Sequence, residues 1–345
     1  MPSLQSGTRA NIVYFKNQSN ADGWPAAVFY RYDVQTASAT MIAVEKQVIV
    51  LDAQLSRDGQ WILFTAQLGH QTMFQLVRID GKQLQTLYCA APGTRIITQG
   101  LKGTTSPTQW SPDAKHLVFL QGASMASSKM LLLTLASGSL QTLLAGPVQY
   151  QPRTWMDNAR IYVSNGPVAP AAMLILDTRN VAKGLQLVVP VGDSSWDFDS
   201  TYDATMLYVT RYDGSPRVVA PGIFCQIEAQ PATQQAGKLI FNSKTMLVVS
   251  VRVIGYGSSA LLLSVANSTG DTSHNGLWKI NVDGTGLTRL TSTTSTLNQF
   301  TQYPWSNFSR DGKLYTVSNS YGSLSGGKLT QFASADAVLI GWTIV

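Results

Sequence analysis

The residues Ser56-Arg57-Asp58-Gly59-Gln60-Trp61-Ile62-Leu63-Phe64 join a tight polar turn to a short apolar segment, and this combination recurs along the 345-residue chain. Turns of the same type lie at Ser111–Ala114 and Ser309–Gly312. Similar apolar segments lie at Asn11–Phe15, Trp61–Phe64, His116–Phe119, Arg160–Val163, Met206–Val209, Met246–Val249 and Lys313–Thr316. Short strands that alternate with Asp/Gly turns in this way are typical of β-propeller blades. We therefore predict an all-β fold, a single β-propeller of seven four-stranded blades, with six blades as the alternative.

The strand order within a blade is clearest in the second repeat. Met73–Ile79 and Gln83–Tyr88 are predicted as its third and fourth strands, with Asp80-Gly81 as the hairpin turn between them. Glycine suits such a turn because it adopts positive φ without a steric penalty. The fifth repeat is the least regular, and we assign Arg217–Ala220 and Ile223–Ile227 as its outer pair of strands.

The two ends of the chain are predicted to meet in one sheet. The first repeat lacks an obvious inner strand, because Leu4–Thr8 is polar and contains glycine, whereas Val338–Ile344 is apolar. Their union would complete the first blade, close the ring and remove an exposed edge. The alternative makes Val338–Ile344 the fourth strand of the last blade. Residues 1–345 are thus predicted as one domain, and the abrupt start at Met1 favours a domain of a longer protein.

Composition limits the classes of partner. Charged residues make up 13% of the chain and the formal net charge is +6. Lys and Arg are scattered singly, whereas a nucleic-acid site needs them clustered, so we predict no nucleic-acid partner. No stretch approaches the roughly 18 consecutive apolar residues of a spanning helix, so we predict no membrane insertion. The compartment is not determined, although a surface rich in Ser, Thr, Gln and Asn favours an extracytoplasmic or cell-surface domain.

The two cysteines do not decide the redox compartment. Cys89 and Cys225 lie in predicted outer strands of different blades. A disulfide needs Cα atoms within about 7 Å, so unpaired thiols are expected. We predict a monomer.

Two stretches resemble a known family. Ser111–Phe119 (SPDAKHLVF) and Leu277–Thr291 (LWKINVDGTGLTRLT) look like the repeats of TolB-like, or WD-repeat-like, β-propellers. Those families typically place a Ser-Pro-Asp-Gly turn before an apolar strand, and an Asp-Gly hairpin before a Leu-Thr ending. The resemblance covers the whole chain loosely and a few blades closely. It implies a propeller that many relatives use for protein–protein contact, and it transfers no catalytic residue. TolB-like propellers commonly have six blades, which keeps that alternative open.

The loops between second and third strands are predicted to carry a binding site, because long loops on one face of a rigid scaffold commonly bind partners. The predicted insertions are Lys16–Ala26, Gln121–Lys129, Asn165–Ala171, Gly255–Asn275 and Asn319–Lys328. Exposed aromatic side chains on such a face bury large areas at low entropic cost. The predicted ligand-binding residues are Trp24, Lys129, Tyr256, His274, Tyr321 and Lys328. Length drift in tolerant loops is the alternative explanation.

The residue types of the common catalytic sites are missing. The chain has three histidines, none beside a nucleophile motif, and it has no Gly-x-Ser-x-Gly turn, zinc-type Cys/His grouping or phosphate loop. An acidic run that includes Asp197, Asp199 and Asp203 offers oxygens for Ca²⁺, but hydrogen-bonded turn and strand aspartates explain it more simply. We therefore predict no catalytic residue, no metal and no cofactor. Strand alternation points Asp197 and Asp199 the same way, toward the central channel.

These observations favour a non-catalytic recognition or scaffold domain that binds a protein, a peptide or another surface ligand through its loop-rich face. Two alternatives remain open. The propeller is a sensor or regulatory part of a larger enzyme, such as a receptor kinase or a peptidase. Otherwise it is a carbohydrate-binding or carbohydrate-active propeller with Asp197 and Asp199 lining the channel.

Overall fold

The computed structural model describes residues 4–5, 7–98, 108–146, 150–164, 173–189, 195–213, 224–255, 257, 259–267, 271–292 and 304–345. These residues form an all-β fold of seven sheets, which are the blades of a propeller. The predicted fold class and blade number are confirmed. Within the same residues, no helix is long and apolar enough to cross a membrane.

The strands are short and follow one another around the ring. The first twelve are β1 (Asn11–Ser19), β2 (Pro25–Asp33), β3 (Ser38–Lys46), β4 (Ile49–Leu55), β5 (Trp61–Leu68), β6 (Gln71–Arg78), β7 (Gln85–Cys89), β8 (Arg95–Ile96), β9 (Gln109–Trp110), β10 (His116–Gly122), β11 (Lys129–Thr134) and β12 (Ser139–Leu144). The next eight are β13 (Gln151–Trp155), β14 (Arg160–Ser164), β15 (Met173–Asp177), β16 (Gln186–Val189), β17 (Ser195–Ser200), β18 (Met206–Asp213), β19 (Phe224–Pro231) and β20 (Lys238–Ser243). The last eight are β21 (Val248–Val253), β22 (Ala260–Val265), β23 (Gly276–Asn281), β24 (Thr288–Thr291), β25 (Leu314–Val317), β26 (Ser320–Ser323), β27 (Thr330–Gln331) and β28 (Val338–Thr343).

Each blade is an antiparallel sheet that runs from the central channel outward. Blade 1 has the order β28-β1-β2-β3, and blades 2, 4, 5 and 6 are β4–β7, β13–β16, β17–β20 and β21–β24. In blade 3 the short strands β8 and β9 both pair with β10, which is followed by β11 and β12. The described strands of blade 7 are β25, β26 and β27, and Phe308 forms an isolated bridge to Tyr315 of β25.

The C-terminal strand closes the ring, as predicted. Strand β28 pairs with β1 so that Asn11 faces Thr343 and Val13 faces Gly341. On the side toward blade 7, Trp342 donates from Nε1 to the hydroxyl of Thr316 over 3.2 Å. Blade 1 is therefore built from both ends of the described chain, and its inner strand is anchored to its neighbour.

The core lies between the blades. In the described residues, buried apolar side chains form seven clusters, one for each interface between neighbouring blades. Sheets that stack face to face bury alternate side chains of both partners. Each blade therefore depends on the blades on either side of it, and the closing strand completes the seventh interface.

The sixth repeat was assigned wrongly from the sequence. Met246–Val249 was predicted as a second strand, but Val248 and Val249 begin β21, which is the inner strand of blade 6. The true second strand is β22, a fully buried apolar segment inside the stretch Gly255–Asn275 that was predicted as an insertion. Both segments are short and apolar, and such segments carry no local signal of their place in a blade.

Other predicted loops and strands also shift. In blade 5 the third strand begins at Phe224 and the fourth is β20, while residues 214–223 lie outside the described part of the chain. Most of Lys16–Ala26 belongs to β1 and β2, and Asn319–Lys328 contains β26. Polar and glycine-containing strands were read as loops because they lack the apolar pattern of a buried strand.

Candidate functional site

The inner strands of blades 4, 5 and 6 bring four charged side chains together. Arg153 lies on β13, Asp197 and Asp199 on β17, and Arg252 on β21. Both aspartates are buried, with 8% and 5% of their surfaces exposed. We call these four residues the channel cluster.

The two aspartates bind the open edge of the neighbouring blade. Asp197 Oδ2 accepts hydrogen bonds from the Ser250 hydroxyl at 2.8 Å, from the Val251 backbone N–H at 3.1 Å and from Arg252 Nη1 at 2.6 Å. Asp199 Oδ2 accepts from the Val253 N–H at 2.8 Å. Residues two apart on β17 thus match N–H groups two apart on β21, because side chains of a strand alternate. The pair satisfies backbone donors that an inner edge strand would otherwise leave unpaired.

Burial changes the acid–base behaviour of the cluster. Desolvation raises the pKa of Asp199 to about 7, although Arg252 and the N–H groups of Val253 and Ser200 oppose the shift. Desolvation also lowers the pKa of Arg153. For Arg252, burial acts in the same direction, but the carboxyl groups of Asp197 and Asp199 raise its pKa overall. Asp199 therefore exchanges its proton near neutral pH, as a general acid or base requires.

Arg153 is the member of the cluster that makes no direct ion pair within the described residues, although the carboxyl groups of Asp197 and Asp199 lie near enough to oppose the lowering of its pKa. Its guanidinium carbon stands 5.2 Å from the centroid of the Phe198 ring. Within the described part of the chain, Arg153 has neither an ion pair nor a hydrogen-bond acceptor, whereas Arg252 binds Asp197. A guanidinium that loses water on burial needs an anion or another acceptor.

Two adjoining cavities open beside the cluster. One, of about 20 Å³, is lined by Arg153, Phe198, Asp199 and Arg252 among others. The second, of about 10 Å³, shares Thr154 and Ser200 with the first and extends to Arg57 and Tyr202. Both are narrow, and the first lies next to both guanidinium groups and to the carboxyl group of Asp199.

The predicted loop-face residues do not form one group. The loops from second to third strands lie on one face, the loop face, and the turns from inner to second strands lie on the other, the turn face. Trp24 is 59% exposed in the β1–β2 turn, Lys129 is exposed at the start of β11, and His274 is partly exposed between β22 and β23. These three lie on the loop face. Tyr256 and residues 165–171 lie outside the described residues.

Two predicted residues are placed differently from expectation. The ring of Tyr321 packs against Trp342 in an edge-on contact at 6.5 Å and lies 6.2 Å from that of Tyr32, so it belongs to the closing interface. Lys328 follows β26 and so lies on the turn face, where the Leu324 N–H bonds to the Lys313 carbonyl. The prediction from the apolar pattern missed β26. Because the chain crosses the blade once more along β26, Lys328 lies on the turn face and not on the loop face.

This chain resembles known proteins in fold and not in sequence. No family model matches the chain, and no curated protein matches it. A solved oligogalacturonate lyase in complex with manganese matches at 12% identity and a TM-score of 0.62, covering 94% of this chain and 97% of its own. A protein from Bacteroides uniformis described as a candidate 6-phosphogluconolactonase matches at 10% identity and a TM-score of 0.52, covering 97% and 98%. TolB from Acinetobacter baumannii matches at 11% identity and a TM-score of 0.49, covering 82% and 63%.

The fold confirms one prediction, and the matches correct another. The β-propeller predicted from the resemblance to TolB-like repeats is confirmed, since the chain folds as a ring of seven blades. The predictions of a non-catalytic domain and of no enzyme are wrong, because the propellers that match nearly the whole chain include a lyase and a protein named for a lactonase. At this identity the likeness itself shows only the fold.

The manganese of the lyase has no matching ligand set here. Within the described residues, no group of three or more His, Cys, Asp or Glu side chains could hold a metal ion. The accepting oxygen of Asp197 faces three donors, including Arg252, and both oxygens of Asp199 face backbone N–H groups. Donors of this kind repel a cation, so the channel cluster does not fit a metal and we derive no step through one.

Sequence reasoning singled out Asp197 and Asp199 but missed the two arginines beside them. Arg153 and Arg252 both occupy inner strands, and each is followed within a few residues by a turn. The sequence signal for Arg252 was the placing of polar or charged residues at alternate positions of an inner strand. Ser250 and Arg252 follow the same spacing as Asp197 and Asp199. The wrong strand assignment in blade 6 hid it.

Proposed function

We propose that this propeller binds and acts on an anionic carbohydrate in its central channel, beside the channel cluster. The observation that carries the proposal is Arg153, a partly buried guanidinium that lines the first cavity and makes no ion pair in the described part of the chain. Carboxylate and phosphate groups fit a guanidinium with two parallel hydrogen bonds.

The charge of the cluster favours an anion. Arg153 and Arg252 each carry a positive charge, and Asp197 offsets that of Arg252 by direct contact. Because Asp199 has a pKa of about 7, its negative charge is only partly present at neutral pH. An anionic group beside Arg153 would complete the neutralisation of the cluster.

The same groups suit two kinds of proton transfer. In an elimination, Asp199 as base would take the proton next to the carboxylate of a uronic acid while a guanidinium stabilises the charge that develops. The electron pair would form a carbon–carbon double bond as the bond to the glycosidic oxygen breaks, and that oxygen would take a proton from water. In lactone hydrolysis, Asp199 would take a proton from the attacking water as its oxygen bonds to the carbonyl carbon, and the ring oxygen would leave with a proton returned by Asp199. The lyase and the lactonase-named protein support the proposal because both of their names refer to sugars that carry an acidic group.

The proposal is tested by binding and turnover with matched sugars. We expect trigalacturonate or 6-phosphogluconate to raise the melting temperature, while a neutral trisaccharide of the same length does not. Arg153→Met should weaken the binding of the anionic sugar at least about tenfold. Arg179→Met is the control, because the Arg179 side chain is exposed in the same blade.

Either of two results would refute the proposal. One is equal binding of neutral and anionic sugars, and the other is unchanged affinity in a folded Arg153→Met variant. Turnover is followed by the ultraviolet absorbance of an unsaturated uronate or by the acid released from a lactone. Asp199→Asn should abolish that signal while leaving binding measurable.

A further inference from the structure

Two hydrogen bonds cross the channel at the turn face. Arg57, in the turn between β4 and β5, donates from Nη2 to the Tyr202 carbonyl oxygen over 3.3 Å. The guanidinium of Arg57 also lies over the Tyr202 ring, with its carbon 4.2 Å from the ring centroid. Arg310, in the turn before β25, donates from Nη2 to the Arg57 carbonyl oxygen over 2.8 Å. We call these three residues the brace.

The brace joins blades that are not neighbours. Arg57 belongs to blade 2, Tyr202 to blade 5 and Arg310 to blade 7. In a ring of seven, blades 2 and 5 are as far apart as two blades can be. A direct contact between their inner turns must therefore pass across the channel axis rather than around its wall.

The turns around the brace are held to one another. The Thr343 hydroxyl donates to the Gly59 carbonyl oxygen over 2.8 Å, which links blades 1 and 2. The Asp113 N–H donates to Asn158 Oδ1 over 3.1 Å, which links blades 3 and 4. Two of the contacts between neighbouring blades on this face are therefore hydrogen-bonded, and one of them is at the turn that carries Arg57.

The cavities lie on the inner side of this brace. Arg57 and Tyr202 line the second cavity together with Thr154 and Ser200, and those two residues also line the cavity beside Arg153. A ligand at Arg153 that continued toward the turn face would therefore meet the stacked pair of Arg57 and Tyr202.

We infer that the channel is blind at the turn face, so that a sugar chain enters from the loop face with one end leading. The site then takes the terminal residue of a chain, and Arg57, Tyr202 and Arg310 set that specificity by blocking passage of the interior. The preference for chain ends rests on the proposed function, whereas closure of the channel does not.

Closure is tested without any sugar. Thr154→Cys places a thiol on the wall shared by both cavities, in a Cys89→Ser background because Cys89 is exposed. Its rate of modification by a small neutral methanethiosulfonate is compared with and without the additional changes Arg57→Ala and Tyr202→Ala. We expect the opened variant to react several-fold faster, while Trp24→Cys, on the exposed β1–β2 turn, reacts at one rate in both backgrounds.

An unchanged rate at position 154 in a folded, opened variant would overturn the inference. If the double change prevents folding, Arg57→Met alone removes the guanidinium that makes both contacts with Tyr202, and the same comparison applies. The melting temperature establishes that each variant is folded.

The preference for chain ends is tested with trigalacturonate and long polygalacturonate at equal concentrations of chain ends. We expect the wild-type protein to bind both with similar affinity per end, and the opened variant to bind the polymer more tightly. Tighter binding of the polymer by the wild-type protein would refute end recognition. If thiol access increases as expected and neither sugar binds, the channel is closed but the proposed function is wrong.

Discussion

At the scale of single residues, the aspartates of the channel cluster join two blades, whereas Arg153 is available to a ligand. Asp197 contacts a hydroxyl, a backbone N–H and Arg252, and so ties blade 5 to blade 6. Asp199 makes a similar tie through Val253 but keeps a pKa near neutrality. Arg153 makes no such tie within the described residues. The cluster is therefore a hydrogen-bonded group of side chains in which Asp199 titrates near neutral pH and Arg153 makes no direct ion pair within the described residues.

The raised pKa of Asp199 makes a signed prediction for stability. Burial lifts the pKa from 3.8 to about 7, so the folded protein holds a proton that the unfolded chain has already released. As the pH rises from about 4 to about 7, the free energy of unfolding of the wild type, relative to that of Asp199→Asn, should fall by up to about 1.4 kcal/mol per pH unit. Chemical denaturation across this range measures the difference.

Asp203 provides the control for that experiment, because its shift has the opposite sign. A hydrogen bond from the Thr201 hydroxyl lowers its pKa, and burial opposes this only in part. Its stabilising contribution is therefore present above 3.8, its usual pKa, and is lost as the pH falls below that value. A difference between wild type and Asp199→Asn that is flat from pH 4 to 7 would contradict the assignment of Asp199.

At the scale of elements, a bulge in the outer strand of one blade packs against a hairpin glycine of the next blade at two of the interfaces. The pairing of β3 with β2 skips Ile42, and that of β20 with β19 skips Ile240, so each is the extra residue of a bulge. The carbonyl oxygens of these residues face the hairpin glycines of the next blade. A Cβ at Gly81 would lie 2.0 Å from the Ile42 oxygen, and one at Gly284 would lie 2.1 Å from the Ile240 oxygen.

This contact adds a second reason for glycine in the Asp-Gly hairpins. Gly81 has a φ of 79°, which only glycine adopts freely, and it also has no room for a side chain. Gly138 occupies the equivalent hairpin of blade 3 with a φ of 68° and nothing within 4 Å of its Cβ position. The sequence predicts the conformational reason, but the approach of another blade is visible only in the structure.

The two hairpins make a matched pair of variants. Gly138→Ala should cost about 1 to 2 kcal/mol of unfolding free energy, because only the positive φ is penalised. Gly81→Ala should cost about 1 to 3 kcal/mol more, because its methyl group must displace the Ile42 carbonyl. Equal losses in urea denaturation would show that the hairpin of blade 2 does not pack against blade 1 in this way.

At the scale of the whole molecule, the ring depends on its closing strand. Removal of β28 would expose the edge of β1 and open the interfaces that blade 1 makes with blades 2 and 7. We expect a chain that ends at Asp336 to lose its cooperative thermal transition and to aggregate, as unpaired edges do. Scanning calorimetry and size-exclusion chromatography test this, with Trp24→Ala as a folded control. A sharp transition in the truncated chain would contradict the role of β28.

The architecture was predictable from the sequence because it is written in local repeats. The Asp-containing turns and apolar segments of blades 2, 3 and 7 repeat clearly, and the apolar Val338–Ile344 suggested closure. A further turn of this type, Thr201 to Asp203, was missed because threonine replaces serine, although its hydroxyl bonds to the carboxylate over 2.6 Å. Repeats therefore identified the fold more reliably than the details of each blade.

The site was only partly predictable, because it forms between blades. Alternation placed Asp197 and Asp199 on one side of a strand, and both do reach β21. That Arg153 and Arg252 lie beside them depends on the relative height of three inner strands, which no local pattern encodes. The crossing of Arg57 to Tyr202 likewise depends on the diameter of the closed ring.

A crystal structure of the protein with bound trigalacturonate tests the central claim most directly. We predict that a carboxylate of the terminal sugar lies within hydrogen-bonding distance of the Arg153 guanidinium, with the ring beside Asp199 and the rest of the chain directed toward the loop face. A sugar bound only on the outer surface near Trp24 or Lys129, with Arg153 solvated and the channel empty, would contradict the account.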